Sequence, residues 1–213
     1  MPSGVISHQA PGLILKIKYP SKFDGTALCI STLVPDLNVL VDPFLLFSFR
    51  NFTHSLLGLL IYSIPLTIIL TIIFCRNICP FIANIAKRDN LIYKPLKYFG
   101  VDEWDNLKKK KYNSRYFIVA FYSALIGGLT HLILDLPAHE YVELFFPIIF
   151  QNPDFLLYSI VDFGPVTIGS IQIERDLTIY QLIWTIETLF TLIISLYLLR
   201  YIKKRNLINK WYE

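Results

Sequence analysis

Four apolar stretches, divided by one basic and one acidic segment, set the plan of this chain. Residues 54–75, HSLLGLLIYSIPLTIILTIIFC, run for 22 positions without a formal charge. Residues 116–136, YFIVAFYSALIGGLTHLILDL, hold no Lys, Arg or Glu over 21 positions. Residues 179–202 form a third run, which contains Glu187 and is closed by Arg200, Lys203, Lys204 and Arg205. Each has about the 20-residue length that an α-helix needs to cross a bilayer. Pro65 predicts a kink in the first of them. The remaining stretch, 26–49, is interrupted. Pro35 disfavours helical geometry at Val34 and removes a backbone donor, while Asp36 and Asp42 put carboxylates near membrane depth. That pattern predicts a broken or re-entrant segment whose exposed backbone faces a polar cavity. The expected fold is all-α: one membrane domain over 1–213, an integral membrane helical bundle of three spanning helices plus the broken N-terminal segment.

Composition supports the membrane class. The chain has 213 residues, 54% of them hydrophobic, and a mean hydropathy of +0.49, too apolar for an ordinary soluble domain. Its net charge of +4 is modest, and ten of the twenty Lys and Arg residues fall within 76–115. Aromatics interleave with that charge, but a basic loop on anionic headgroups explains it better than a nucleic-acid surface, so no nucleic-acid partner is expected. Residues 137–178 carry six acids against Arg175 alone. The positive-inside rule therefore places 76–115 and the C-terminus in the cytoplasm and 137–178 at the outer face of the cytoplasmic membrane. Apolar pieces within 137–178, such as ELFFPIIF, are too short to span and suit interfacial or lid segments. Residues 1–22 lack a basic start followed by an apolar run and a cleavage site, so no cleaved signal peptide is expected. Cys29, Cys75 and Cys79 have no CxxC spacing and read as buried small residues.

Candidate chemistry gathers at one membrane edge. His131 and Asp135 are one helical turn apart and project from one face, with His139 just beyond. Gly127 and Gly128 lie a turn earlier, where a small residue admits a second helix. Ionisable groups within a spanning helix are costly and need a partner, an ion or a polar pocket. By the topology above, the helix beginning at His54 runs inward and the helix ending near Leu136 runs outward, so His54, His131, Asp135 and His139 share the outer edge. Glu187 lies in the outer half to middle of its helix. His and Asp side chains suit zinc, and carboxylates also suit manganese or magnesium. For Asp36, a helix N-cap after the break and a metal ligand both fit. For His131 with Asp135, the alternative to metal is a hydrogen-bonded pair that joins helices.

The segments MPSGVISHQAPG, STLVPDLN, FTHSLLGLL and GGLTHLILD, spread over residues 1–145, resemble a family of bacterial integral membrane proteins known only as a domain of unknown function. The chain is more loosely similar to the YdjM-like inner-membrane proteins, called metal-dependent hydrolases. Its order of His, Asp, His, HxxxD and His is also similar to that of zinc-dependent phospholipase C. That likeness implies His8, Asp36, His54, His131, Asp135 and His139 as metal ligands, with Asp36 also acting near the attacking water. Two departures stand out. Asn38 replaces the second carboxylate of the PDxD pattern, and the later HxxxE pair has no match, leaving Glu187 or Glu143 to stand in.

These features together point to metal-dependent hydrolysis of a membrane lipid or lipid-linked phosphoester, with a divalent metal, zinc above others, as cofactor and Asp36 and Glu187 as catalytic candidates. The rival readings are a non-enzymatic divalent-metal binding or transport protein and a purely structural membrane protein. A transporter would string polar groups through the midplane, whereas here they cluster at one edge.

Overall fold

The computed structural model describes residues 7–46, 48–139, 141–151, 153–168, 171–173 and 175–211. Glu140 and Glu174 of the acidic segment lie outside that set. The described chain is mostly helical. Helix α1, Gln9–Lys18, is followed by α2, Gly25–Ser31, whose N-terminus is capped by Asp24 accepting from Ala27 N at 2.8 Å. After Ser31 the chain bends by 50° into the 3-10 turns of Pro35–Phe44. Val34 keeps right-handed helical dihedrals (φ −61°, ψ −40°), against the expectation for a residue before proline. Its own N–H reaches Ile30 O at 3.1 Å, so the break comes from the switch to 3-10 geometry beyond Pro35.

Three helices are long and apolar enough to cross a membrane, consistent with a membrane protein: α3, Leu56–Ala86; α4, Ser114–Asp135; and α5, Ile179–Lys204. Helix α3 runs well past Cys75, the end expected from hydropathy, so the segment 76–115 begins with a helical stretch. Its two prolines explain its shape. Pro65 and Pro80 each follow a π-helical turn, Leu59–Ser63 and Phe74–Ile78, which relieves the missing N–H and the ring clash. Ser55 caps α3 by accepting from Gly58 N, and Asn113 caps α4 by accepting from Tyr116 N, both at 2.9 Å.

The expected all-α class needs one correction. The described residues of 137–178 include six short strands in three antiparallel pairs: the hairpin of β1 Tyr141–Phe145 with β2 Ile148–Gln151, and β3 Ser159–Asp162 with β6 Asp176–Thr178, which enclose in sequence the hairpin of β4 Val166–Ile168 with β5 Ile171–Ile173. The short apolar pieces expected to lie as interfacial segments are rich in aromatic and β-branched residues. Pro147 between Phe146 and Ile148 stops a helix there and leaves a turn. The first hairpin rests on the Arg50–Thr53 turn through Phe146 against Phe52, ring centroids 5.8 Å apart, and Asn51 Nδ2 donating to Glu143 at 2.5 Å.

Helices α2 and α3 pack on α4, while α1 joins α2 to α5. The Gly127–Gly128 pair permits the closest approaches. A Cβ at Gly127 would overlap Ser31 Oγ and the Leu28 carbonyl, and one at Gly128 would meet Leu59 Cδ1. Gly127→Val is thus expected to destabilise the bundle by about 1–3 kcal/mol, because backbone cannot retreat as a side chain can. Gly128→Val should cost less, since the end of Leu59 can rotate. Denaturation in mixed detergent micelles measures both, and a Gly127→Val chain as stable as wild type would refute this packing. Cys29, Cys75 and Cys79 are free thiols, with Cys75 and Cys79 fully buried in a cluster that includes Leu13, Leu107, Ile202 and Trp211. Large apolar side chains point outward from all three long helices, among them Ile69, Ile118 and Phe190.

Candidate metal centre

Four separate segments deliver polar side chains to one point at the end of α4. His131 and Asp135, at i and i+4 in its last turns, are 0% and 2% exposed. The Arg50–Thr53 turn ends on His54, which is also buried. Asp36 is the second residue of the 3-10 turn beyond the bend. Pro35 occupies the first position and the Asp36 carboxylate caps nothing, so the capping alternative falls. His8 enters from the residue preceding α1.

The distances fit a tetrahedral ion. His54 Nε2, His131 Nε2 and Asp135 Oδ2 form a triangle with sides of 3.4, 3.3 and 3.4 Å. Asp36 Oδ1 stands 3.3 Å from His54 Nε2 and 3.8 Å from His131 Nε2. A tetrahedral ion with bonds of about 2.0–2.2 Å sets its donors about 3.3–3.6 Å apart, close to these edges. One donor atom from each of Asp36, His54, His131 and Asp135 lies within 4.8 Å of the others, so this group could hold a metal ion.

Hydrogen bonding fixes the tautomer of His54. Its Nδ1 is 3.1 Å from the Arg50 carbonyl and 3.1 Å from Thr53 Oγ1, whose own hydroxyl donates to that same carbonyl. Both partners accept, so Nδ1 carries the proton and Nε2 presents a lone pair. That lone pair faces Asp36 Oδ1 and Asp135 Oδ2, acceptor against acceptor. A cation between them, a second proton on the ring, or a proton on His131 Nε2 at 3.4 Å would each satisfy it. Burial opposes the second proton and holds the His54 pKa below the ordinary histidine range. Asp135 adds a further sign, since its Oδ1 is buried with no hydrogen-bond partner among the described residues. The residues present therefore fit a metal ion.

The other expected residues fall at graded distances. His8 Nε2 is 3.8 Å from Asp135 Oδ1, and its ring centroid is 4.7 Å from that of His131. Burial, then the His131 charge, pushes its pKa down to about 4, which leaves its ring neutral at pH 7. His139 Nε2 is 3.5 Å from Asp135 Oδ2, the same oxygen that His54 and His131 approach. Glu187, half-buried on α5, is near enough to interact electrostatically with Asp135 and His131 but lies outside the close group of four. Asn38 does not reach the centre. It donates to Asp42 Oδ2 at 2.6 Å, while Asp42 Oδ1 accepts from Phe49 N, so this pair shapes the loop that delivers His54. Glu143 is held by Asn51 and likewise stays out of the close group.

Sequence reasoning missed Arg50 and Thr53, which orient His54. Their positions, one turn before and directly before His54, were the available signal. It also missed Arg50 and Trp184 as parts of a cleft of about 730 Å³ beside the centre, which His139 and Arg175 also line.

The chain belongs to the family described as Domain of unknown function (DUF4184), whose profile matches residues 1–209. No curated protein and no solved structure matches the chain.

Proposed function

We propose that this DUF4184 member is a membrane-embedded metal-dependent hydrolase, with zinc as its cofactor, that acts on a lipid or lipid-linked phosphoester at the outer face of the cytoplasmic membrane. The observation that carries this reading is the His54 lone pair directed at two carboxylate oxygens, within a set of donors at tetrahedral spacing. A zinc ion held there would lower the pKa of water to about 7 and polarise a phosphoryl oxygen. His54, His131 and Asp135 form the buried side of the site. Asp36, whose side chain is 23% exposed, is its open side; there a water would take the fourth position on the ion, and the Asp36 carboxylate would accept its proton instead of ligating. Glu187 lies one turn beyond Trp184, a residue of the cleft wall, and is the candidate to return a proton to the leaving oxygen.

The proposed topology has its own test. The hairpins and the metal centre sit at one end of α4, and the Lys-rich turn before Ser114 sits at the other. In a cysteine-free background, an impermeant thiol reagent added to intact cells should label a cysteine placed beside Asp154 and spare one placed beside Lys109. The reverse pattern would move the site to the cytoplasmic face. Hydrolase activity is tested by incubating the purified chain in detergent with phospholipid substrates and following release of the headgroup or phosphate. Turnover should disappear on replacement of His131.

A further inference from the structure

The cleft beside the metal centre has the chemistry of an oxyanion site. Arg50, Arg175 and His139 line it against one carboxylate, Asp176. Two of its lining residues carry unsatisfied donors: Arg50 Nη2 and Trp184 Nε1 are both buried with no hydrogen-bond partner among the described residues, and a turn of each side chain would present them to the cleft. Buried donors left unmade are costly, and a guanidinium and an indole N–H lining one cleft are a strong set for a tetrahedral oxyanion. Arg50 is also bound into the metal centre, because its carbonyl fixes His54 Nδ1 at 3.1 Å. His139 belongs to both places, 3.5 Å from Asp135 Oδ2 on one side and in the cleft wall on the other.

We infer that this cleft holds the non-bridging oxygens of a phosphate ester, with the Arg50 guanidinium and the Trp184 indole N–H as donors and Arg175 drawing the anion in from the rim. Phe163 and Leu177 also line the cleft and give an apolar chain somewhere to lie. The cleft thus names the part of the substrate that the proposed hydrolase grips. The inference rests on that reading for the reaction, though not for the binding itself. Arg50 and Trp184 are positioning residues: they hold the phosphoryl group where the metal centre and Asp36 can reach it.

The test uses the full chain purified in detergent, with metal content determined on every sample. Calorimetric titration compares inorganic phosphate, dihexanoyl phosphatidic acid and the uncharged dihexanoyl glycerol with wild type, Arg50→Gln and Trp184→Phe. Trp184→Phe keeps the ring and removes only the N–H, so it remains informative if Arg50→Gln folds poorly. Loss of a hydrogen bond to a charged group weakens binding by about tenfold or more. That loss is expected in both variants for the phosphate compounds, at metal content equal to wild type. Binding of phosphatidic acid alone assigns a lipid source, and binding of both phosphate compounds assigns the phosphate group itself. Either result supports the site. Equal affinity in wild type and Trp184→Phe, or equal affinity for phosphatidic acid and the uncharged glyceride, overturns it. Phosphate binding that tracks Trp184 in metal-free protein would keep the cleft and remove the hydrolase reading, whereas metal-dependent turnover unaffected by Trp184→Phe would do the opposite.

Discussion

Lys110→Ala is expected to cost about 3–5 kcal/mol of stability, the scale of breaking a buried ion pair from one side. Lys110 and Asp24 are 6% and 7% exposed. The ammonium lies 2.9 and 2.8 Å from the two Asp24 oxygens and 3.1 Å from Thr26 Oγ1. Asp24 caps α2 at the same time, and its own N–H donates to Ser123 Oγ on α4 at 2.9 Å. Removal of Lys110 therefore strands a carboxylate at the junction of α2 with the middle of α4. Adding Asp24→Asn should recover a large part of the loss, because Asn caps a helix well and carries no charge. Unfolding in mixed micelles measures each chain. A loss below about 1 kcal/mol in Lys110→Ala, the range of exposed pairs, would show that this contact does not hold the bundle.

His131→Ala is expected to abolish metal binding and any hydrolase turnover together. Its Nε2 is 3.3 Å from Asp135 Oδ2 and 3.4 Å from His54 Nε2, so its removal takes one corner from the donor set. The helices satisfy their own backbone hydrogen bonds, and the fold should largely persist. In a structural bundle the same change would cost only about 1 kcal/mol, the scale of an interhelical hydrogen bond in a bilayer, and metal content would not move. A chelator gives the matching result without mutation. It should lower the unfolding temperature of wild type and leave His131→Ala unchanged, since an ion bound only to the folded state stabilises it. Equal responses of the two chains would contradict a metal at this position.

The three long helices and the broken segment were legible because lipid-length apolar runs and Pro35 are local signals. The end of α3 was not. Hydropathy stops at Arg76, but a π turn carries the helix over Pro80 to Ala86. The hairpins were missed for a related reason. Pieces such as ELFFPIIF are too short for period to decide between strand and helix, and their pairing depends on partners distant in sequence. At the site, the HxxxD spacing displays two donors on one face, and the proline break flags Asp36. For His8 the local signal points the other way, because the positive-inside rule sets Lys16, Lys18 and Lys22, which follow it, on the cytoplasmic side. The structure turns α1 back along α5 and α2, which sets His8 beside His131. Trp184 gave no comparable signal, because the cleft it lines with Arg50 joins residues far apart in sequence.

Metal content of wild type and Asp135→Asn, purified in detergent without chelator or metal-affinity resin, tests the central claim most directly. Asparagine at 135 can keep a hydrogen bond to His131 but ligates zinc poorly, so the substitution separates a metal centre from a hydrogen-bonded pair. The expected result is a stoichiometric divalent metal, zinc foremost, in wild type and its loss in Asp135→Asn, with the helical fold retained. A wild type that carries no metal after incubation with zinc, or an Asp135→Asn chain that carries as much as wild type, would contradict the metal centre.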